Sequence, residues 1–209
     1  MRKITKEKNK SFLTFIGVLL IVLSIFILIY SKYSEKKNQS VSEELTEKYI
    51  VNTSIKVDEE NESESIQEEV IEKYAYIAVL EIDSINLKRG LVAYDSKYNS
   101  VKYNIQILDS SDMPDVKNGN LILAAHNGTS NVSFFSNLSS IKQGDLINVY
   151  YNGYKYVYKY TNSYEVDKNG KVQIIRDKMN NAITLITCKD NSDTKQVVYV
   201  GYLIEKTEY

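Results

Sequence analysis

A single cysteine, Cys188, and a single histidine, His126, serve the whole 209-residue chain. One thiol excludes an internal disulfide, and one thiol with one imidazole and no C-x-x-C pair argues against a zinc site. No positive surplus is present either. The net charge is −1, and Arg2, Lys3, Lys6, Lys8 and Lys10 stand near the N-terminus against Glu7 alone. The rest of the chain is therefore acidic, which argues against a nucleic-acid partner, since such a partner requires a basic face. Tryptophan is absent while tyrosine occurs 18 times. That bias suits half-buried strand faces, where the ring packs and the hydroxyl stays wet.

Residues 11–30, SFLTFIGVLLIVLSIFILIY, carry no charge. At about 1.5 Å per residue they match a hydrocarbon layer roughly 30 Å thick, and they lack the polar face that a buried core helix shows. The basic residues ahead of the run predict a cytoplasmic N-terminus with everything after Tyr30 outside. A cleaved signal peptide has a shorter apolar region and a small-x-small site. The exit segment "IYSKYSEKK" has no such pair, so the span reads as an uncleaved anchor.

Four segments follow from this patterning. Residues 1–10 form a cytoplasmic basic tail, 11–30 a single-pass membrane helix, 31–73 a charged extracellular tether, and 74–209 one domain with one core. The tether includes the acidic run from Asp58 to Glu64, with too little apolar surface to offset the entropy of ordering. At its end, Ser65 and Glu68 make a capping-box pattern, and Ile66, Val70, Ile71 and Tyr74 follow at helical spacing.

From Tyr76 the period changes to that of strands. "YIAVLEI", "GLVAY", "NIQIL", "NLILAAH", "DLINVYYNGYKYVYKY", "AITLITC" and "KQVVYVGYLIEK" are strand candidates. Asn152-Gly153 favours the type I′ turn, so the fifth of these runs reads as a hairpin. Phe134, Phe135 and Leu138 suggest a short helix packed on the sheet, and residues 160–176 read as a structural hairpin. Many short strands with few helices predict a mainly β fold, a closed or nearly closed barrel.

Cys188 and His126 both end apolar strand-like runs, "ITLITC" and "NLILAAH", just before polar loops. Rigid scaffolds present reactive side chains at such positions. Alone, each has a bland reading: Cys188 as a small core residue or an intermolecular link, His126 as a loop residue. Their matched placement outside the membrane favours a thiol nucleophile assisted by an imidazole, the minimum for acyl transfer.

At these residues the chain resembles the sortases, membrane-anchored cysteine transpeptidases of Gram-positive bacteria. The resemblance rests on Thr184-Leu185-Ile186-Thr187-Cys188, on the segment from Asn120 to His126-Asn127, and on "EIDSINL" (81–87) and "IKQGDLI" (141–147), in the family's order over residues 74–209. It implies an eight-stranded β-barrel with short helices and no cofactor. Cys188 would attack a Leu-Pro-x-Thr-Gly-like sorting signal on a surface protein, and His126 would protonate the departing amine. An amine of a peptidoglycan precursor or a pilin would then accept the acyl group from the thioester.

The family's third catalytic residue is an arginine on the strand after the cysteine. Here the only arginines are Arg2, Arg89 and Arg176, and none follows Cys188. Counting back from Gly201 puts Gln196 at that position, where its amide is able to donate a hydrogen bond without a charge. Lys195 would supply charge without arginine's fork. Arg176 would have to reach in from the preceding loop. Some relatives bind calcium beside the loop that residues 160–176 would form, where Glu165 and Asp167 could contribute ligands, but acidic surface pairs are common and no metal is assigned. Alternatives are a pilin-polymerising enzyme, a non-catalytic wall-binding barrel, and a redox sensor, which would need a partner thiol.

Overall fold

The computed structural model describes residues 2–54 and 75–209. The chain divides into two compact units, Met1–Val41 and Ser42–Tyr209. The described part of the first is helical throughout and belongs to α1 (Arg2–Ser54). Within α1, Phe15–Tyr33 is long and apolar enough to cross a membrane, and none of it is buried.

Helix α1 continues to Ser54, so residues 31–54 are helical where the sequence predicts a solvated tether. In the second unit the physical reason is packing that no local composition reveals. Leu45 and Tyr49, one turn apart, lie against Tyr76, Val92 and Tyr98. Glu44 and Lys48 form an i,i+4 ion pair at 2.8 Å, a helical spacing that adds a few tenths of a kcal/mol. The capping-box segment predicted from Ser65 lies outside the described residues.

The second unit is mainly β. Its strands are β1 (Tyr76–Ile82), β2 (Leu87–Val92), β3 (Gln106–Ile107), β4 (Asn120–Ala124), β5 (Leu146–Tyr151), β6 (Tyr154–Asp167), β7 (Ala182–Cys188) and β8 (Lys195–Glu208). They make one eight-stranded sheet in the order β2-β1-β5-β6-β8-β7-β4-β3, which curls into a nearly closed barrel. β4 and β7 run parallel, whereas the other pairings are antiparallel. Leu80, Leu91, Leu123, Phe135, Leu138 and Leu185 meet in the interior with no exposed surface. The hairpin predicted at Asn152-Gly153 is present, with φ of 50° and 77° at the two residues, as a type I′ turn requires.

Three expectations differ. Strand β6 continues through Asp167 rather than ending near Tyr160, so residues 160–176 are not a hairpin. The fourteen-residue β8 draws them out, pairing Asn162–Asp167 with Val200–Lys195. The helix expected around Phe134–Leu138 is only a 3-10 turn at Leu138–Ser140, although Phe135 and Leu138 are buried as expected. Finally, the tyrosine hydroxyls are not all wet. Tyr156 and Tyr158 are each 1% exposed, and burial pushes the Tyr158 hydroxyl far above its ordinary pKa.

Gly90 on β2 is covered by the Tyr76 ring, and a Cβ there would lie 2.3 Å from that ring. The Tyr76 hydroxyl also hydrogen-bonds Ser42 of α1 at 2.9 Å, a tie that resists displacement of the ring. Gly90→Ala is expected to destabilise this unit by about 1–3 kcal/mol, the usual cost of overpacking. Urea unfolding of both proteins measures this, and an unchanged midpoint would refute it.

Candidate active site

Strands β4 and β7 are neighbours and parallel, so their C-terminal ends lie at the same end of the barrel. Their register pairs Asn120 with Ala182 and Ala124 with Ile186. Carried two residues further, it sets His126 level with Cys188. Because strand side chains alternate between faces, His126 shares a face with Ala124, and Cys188 with Ile186.

The threonines of the cysteine motif explain how this juxtaposition is held. The Thr184 hydroxyl donates to Asn120 Oδ1 at 3.0 Å, and the Thr187 hydroxyl donates to the Ala125 carbonyl at 2.9 Å. The Ala125 N–H donates to the Ile186 carbonyl at 3.2 Å. Beyond the strand ends, the Asn127 amide donates to the Cys188 carbonyl at 3.1 Å and to the Asp190 carboxylate. Both threonines are buried, so each hydroxyl would be costly to leave unpaired. Cys188 is half-buried and His126 exposed, with the His126 carbonyl accepting from the Phe135 N–H at 3.1 Å.

On the other side of β7 lies β8, where Cys188 and Gln196 are direct partners. Antiparallel partners point to the same face, so the Gln196 amide and the thiol share a side of the sheet. Lys195, the adjacent residue, alternates to the opposite face and forms an ion pair with Asp167 at 2.6 Å. The hydrogen bond to Asp167 holds the Lys195 ammonium above its usual pKa. Arg176 is not brought to the thiol. Its guanidinium donates to the carbonyls of Asn118 at 3.0 Å and Asn180 at 3.2 Å, both just ahead of the N-terminal ends of β4 and β7. The length of β7, roughly 20 Å at strand rise, separates those ends from Cys188.

One neighbour of the thiol escaped the sequence reading. The Lys168 ammonium donates to Cys188 Sγ at 3.6 Å. Its signal would have been the alternation of β6: Val166 is the partner of Gln196, and Lys168 is two residues on. That signal is invisible while residues 160–176 are read as a hairpin.

The face that carries Cys188 continues away from it as an apolar floor of Ile122, Ile186, Val198 and Val200, against which Val172 and Ile174 pack. A cleft of about 260 Å³ also abuts Cys188, lined among others by Asn127, Ser139, Glu165, Val197 and Tyr199. Burial, with smaller contributions from Tyr160 and Asp190, pushes the Tyr199 hydroxyl up to about 12, so this group stays neutral at physiological pH. The carboxylates of Glu165 and Asp167 are engaged by Lys189 and Lys195, each at 2.6 Å. Among the described residues no group of three or more His, Cys, Asp or Glu side chains is arranged to hold a metal.

A half-buried thiol, an imidazole carried just past the end of the neighbouring strand and an amide donor opposite are groups that acyl transfer can use. The comparisons with known proteins give the family. The family model of the sortase domain matches residues 80–204. The fold is similar to that of Listeria monocytogenes sortase A, at 24% identity and a TM-score of 0.54 over 65% of this chain and 91% of that one. It is also similar to a Clostridium perfringens sortase D5 transpeptidase (21% identity, TM-score 0.57, 79% and 99% covered). Streptococcus agalactiae sortase C1 compares at 19% identity and a TM-score of 0.55, with 79% and 89% covered. Among curated protein sequences none matches this chain.

Proposed function

The chain belongs to the sortase family of cysteine transpeptidases, and on that premise we propose that it cleaves a Leu-Pro-x-Thr-Gly-like sorting signal through a Cys188 thioester and passes the acyl group to a cell-surface amine. The observation that carries this reading is the register: His126 falls level with Cys188 across β4–β7, and Gln196 is its partner across β7–β8.

In this mechanism the Cys188 thiolate attacks the carbonyl carbon after the signal's threonine. The carbonyl oxygen gains negative charge, and the Gln196 amide donates to it. His126 as imidazolium gives its proton to the departing amine, the C–N bond breaks, and a thioester remains. An incoming amine then attacks the thioester, losing its proton to His126 as the C–S bond breaks and the thiolate returns. Lys195 and Arg176 serve other contacts in this reading, the first with Asp167 and the second at the far ends of β4 and β7.

The apolar segment Phe15–Tyr33 is compatible with a single-pass anchor. In our reading the basic residues before it keep the N-terminus cytoplasmic, residues 11–30 span the membrane, residues 31–73 form the connection, and residues 74–209 act outside the cell.

The test is mass spectrometry of the full-length chain in detergent micelles, incubated with Leu-Pro-x-Thr-Gly-type peptides varied at the first and third positions. A mass gain equal to the peptide up to its threonine, discharged as an amide by an added amine, is expected; the absence of any adduct from the whole peptide set would sink the assignment. With the motif in hand, Gln196→Ala is expected to lower kcat/KM about 10²-fold, as loss of an oxyanion donor does. Gln196→Arg, restoring a charged donor at the same partner position, should equal or exceed the wild type. An undiminished rate in Gln196→Ala would remove this side chain from the oxyanion site.

A further inference from the structure

The thiol of this site has a cationic neighbour just past the end of β6, an element that carries neither Cys188 nor His126. We propose that Lys168 is the cation that offsets the negative charge carried by the Cys188 sulfur and by the carbonyl oxygen in the acyl-transfer transition state; this rests on the transpeptidase reading above. Lys168 Nζ lies 3.6 Å from Cys188 Sγ, the atom that forms and breaks the acyl bond.

Backbone geometry supports the contact independently of side-chain placement. Val166, Gln196 and Cys188 form a row across β6, β8 and β7, each the partner of the next. The Lys168 N–H donates to the Thr194 carbonyl at 2.8 Å, which extends the β6–β8 ladder one residue past Asp167. Lys168 therefore keeps the strand alternation and faces the same side as Val166, Gln196 and Cys188. A turn closes directly behind it, with Asn169 N–H on the Asp167 carbonyl at 3.0 Å, Lys171 N–H on Asn169 Oδ1 at 3.1 Å and Gly170 at φ 83°.

Charge pairing singles out the same residue. Lys189 is matched by Glu165 and Lys195 by Asp167, while the Asp190 carboxylate accepts from Asn127. Among the described residues the Lys168 ammonium forms no ion pair, and sulfur is its partner. No arginine follows Cys188 to supply a cation from β8. A lysine is a compact point charge on a flexible stem, so it can follow negative charge as it moves from sulfur to the carbonyl oxygen a few ångströms away.

The proton bookkeeping leaves Lys168 unchanged. The S–C bond forms, the C–N bond breaks, the leaving amine takes its proton from His126, and the incoming amine returns one to His126. The ammonium keeps its protons through both halves and acts by field alone.

Cys188 is the only thiol, so its alkylation in the full-length chain reports this pair without any sorting peptide. Rates are measured with iodoacetate, which is anionic, and iodoacetamide, which is neutral, for wild type, Lys168→Met and Lys168→Arg. In Lys168→Met the iodoacetate-to-iodoacetamide ratio is expected to fall about fivefold at low salt, and the difference should close near 1 M salt, where the screening length is only about 3 Å. Lys168→Arg should stay within twofold of wild type, and peptide acylation in Lys168→Met should fall alongside the ratio. An unchanged ratio, or undiminished acylation in Lys168→Met, would overturn the proposal. Should the ratio fall while even the wild type forms no acyl adduct, the transpeptidase reading fails, and with it the catalytic role of a lysine–thiol pair that nonetheless exists.

Discussion

Alanine at position 188 is expected to abolish thioester formation and lower amide-product formation at least about 10⁴-fold, because the bond-forming atom itself is gone and no second thiol is present to replace it. Cys188 ends β7 and is only half-buried, while the strand's ties to β4 run through Thr184 and Thr187. The fold should therefore survive with a thermal midpoint within a few degrees of wild type. Intact-mass analysis after peptide incubation reads the first quantity and thermal denaturation the second. Residual turnover in a folded Cys188→Ala protein would show that the thiol is not the nucleophile.

His126→Ala is expected to reduce kcat by about 10²–10⁴-fold, the range assigned to a positioned acid and base. The side chain is exposed and its backbone carbonyl, not its ring, accepts from Phe135, so its removal should leave stability nearly unchanged. The assignment also predicts a split between assays. If His126 protonates the leaving amine, iodoacetamide should still alkylate Cys188 at a rate near that of wild type while peptide cleavage collapses. Equal losses in the two assays would move the role of His126 to forming the thiolate, and a kcat within about tenfold of wild type would take it out of the reaction.

Cys188 and His126, the two ends of the candidate site, are legible in the sequence because each lies inside a local pattern. A buried parallel strand reads as a continuous apolar run, and both "NLILAAH" and "ITLITC" stop at a chemically distinctive residue. Gln196 was also reachable, since counting along one strand preserves the side-chain alternation that the β7–β8 register then shows. Lys168 was not reachable. It depends on β6 extending to Asp167, and that extension is fixed by pairing with β8, a partner more than twenty residues away in sequence. The same limit applies to residues 42–54, whose helix is supported by Leu45 and Tyr49 seated on barrel residues that begin only at Tyr76. Composition sees their charges and not the surface waiting for them. Arg176 was misleading for the converse reason: proximity in sequence to β7 put it at that strand's beginning, whereas the thiol stands at its end.

The threonine ties between β4 and β7 carry a consequence for the time course of folding. Thr187 and Ala125 are 62 residues apart, so their bond closes a long loop, while the β5–β6 hairpin turns through two residues. Contacts of such long range cost more chain entropy before they return any stabilisation, and they form late. A chain that has formed only its hairpins thus holds His126 and Cys188 still apart. The juxtaposition of His126 and Cys188 therefore waits for the β4–β7 pairing, and the candidate site assembles only after the local hairpins.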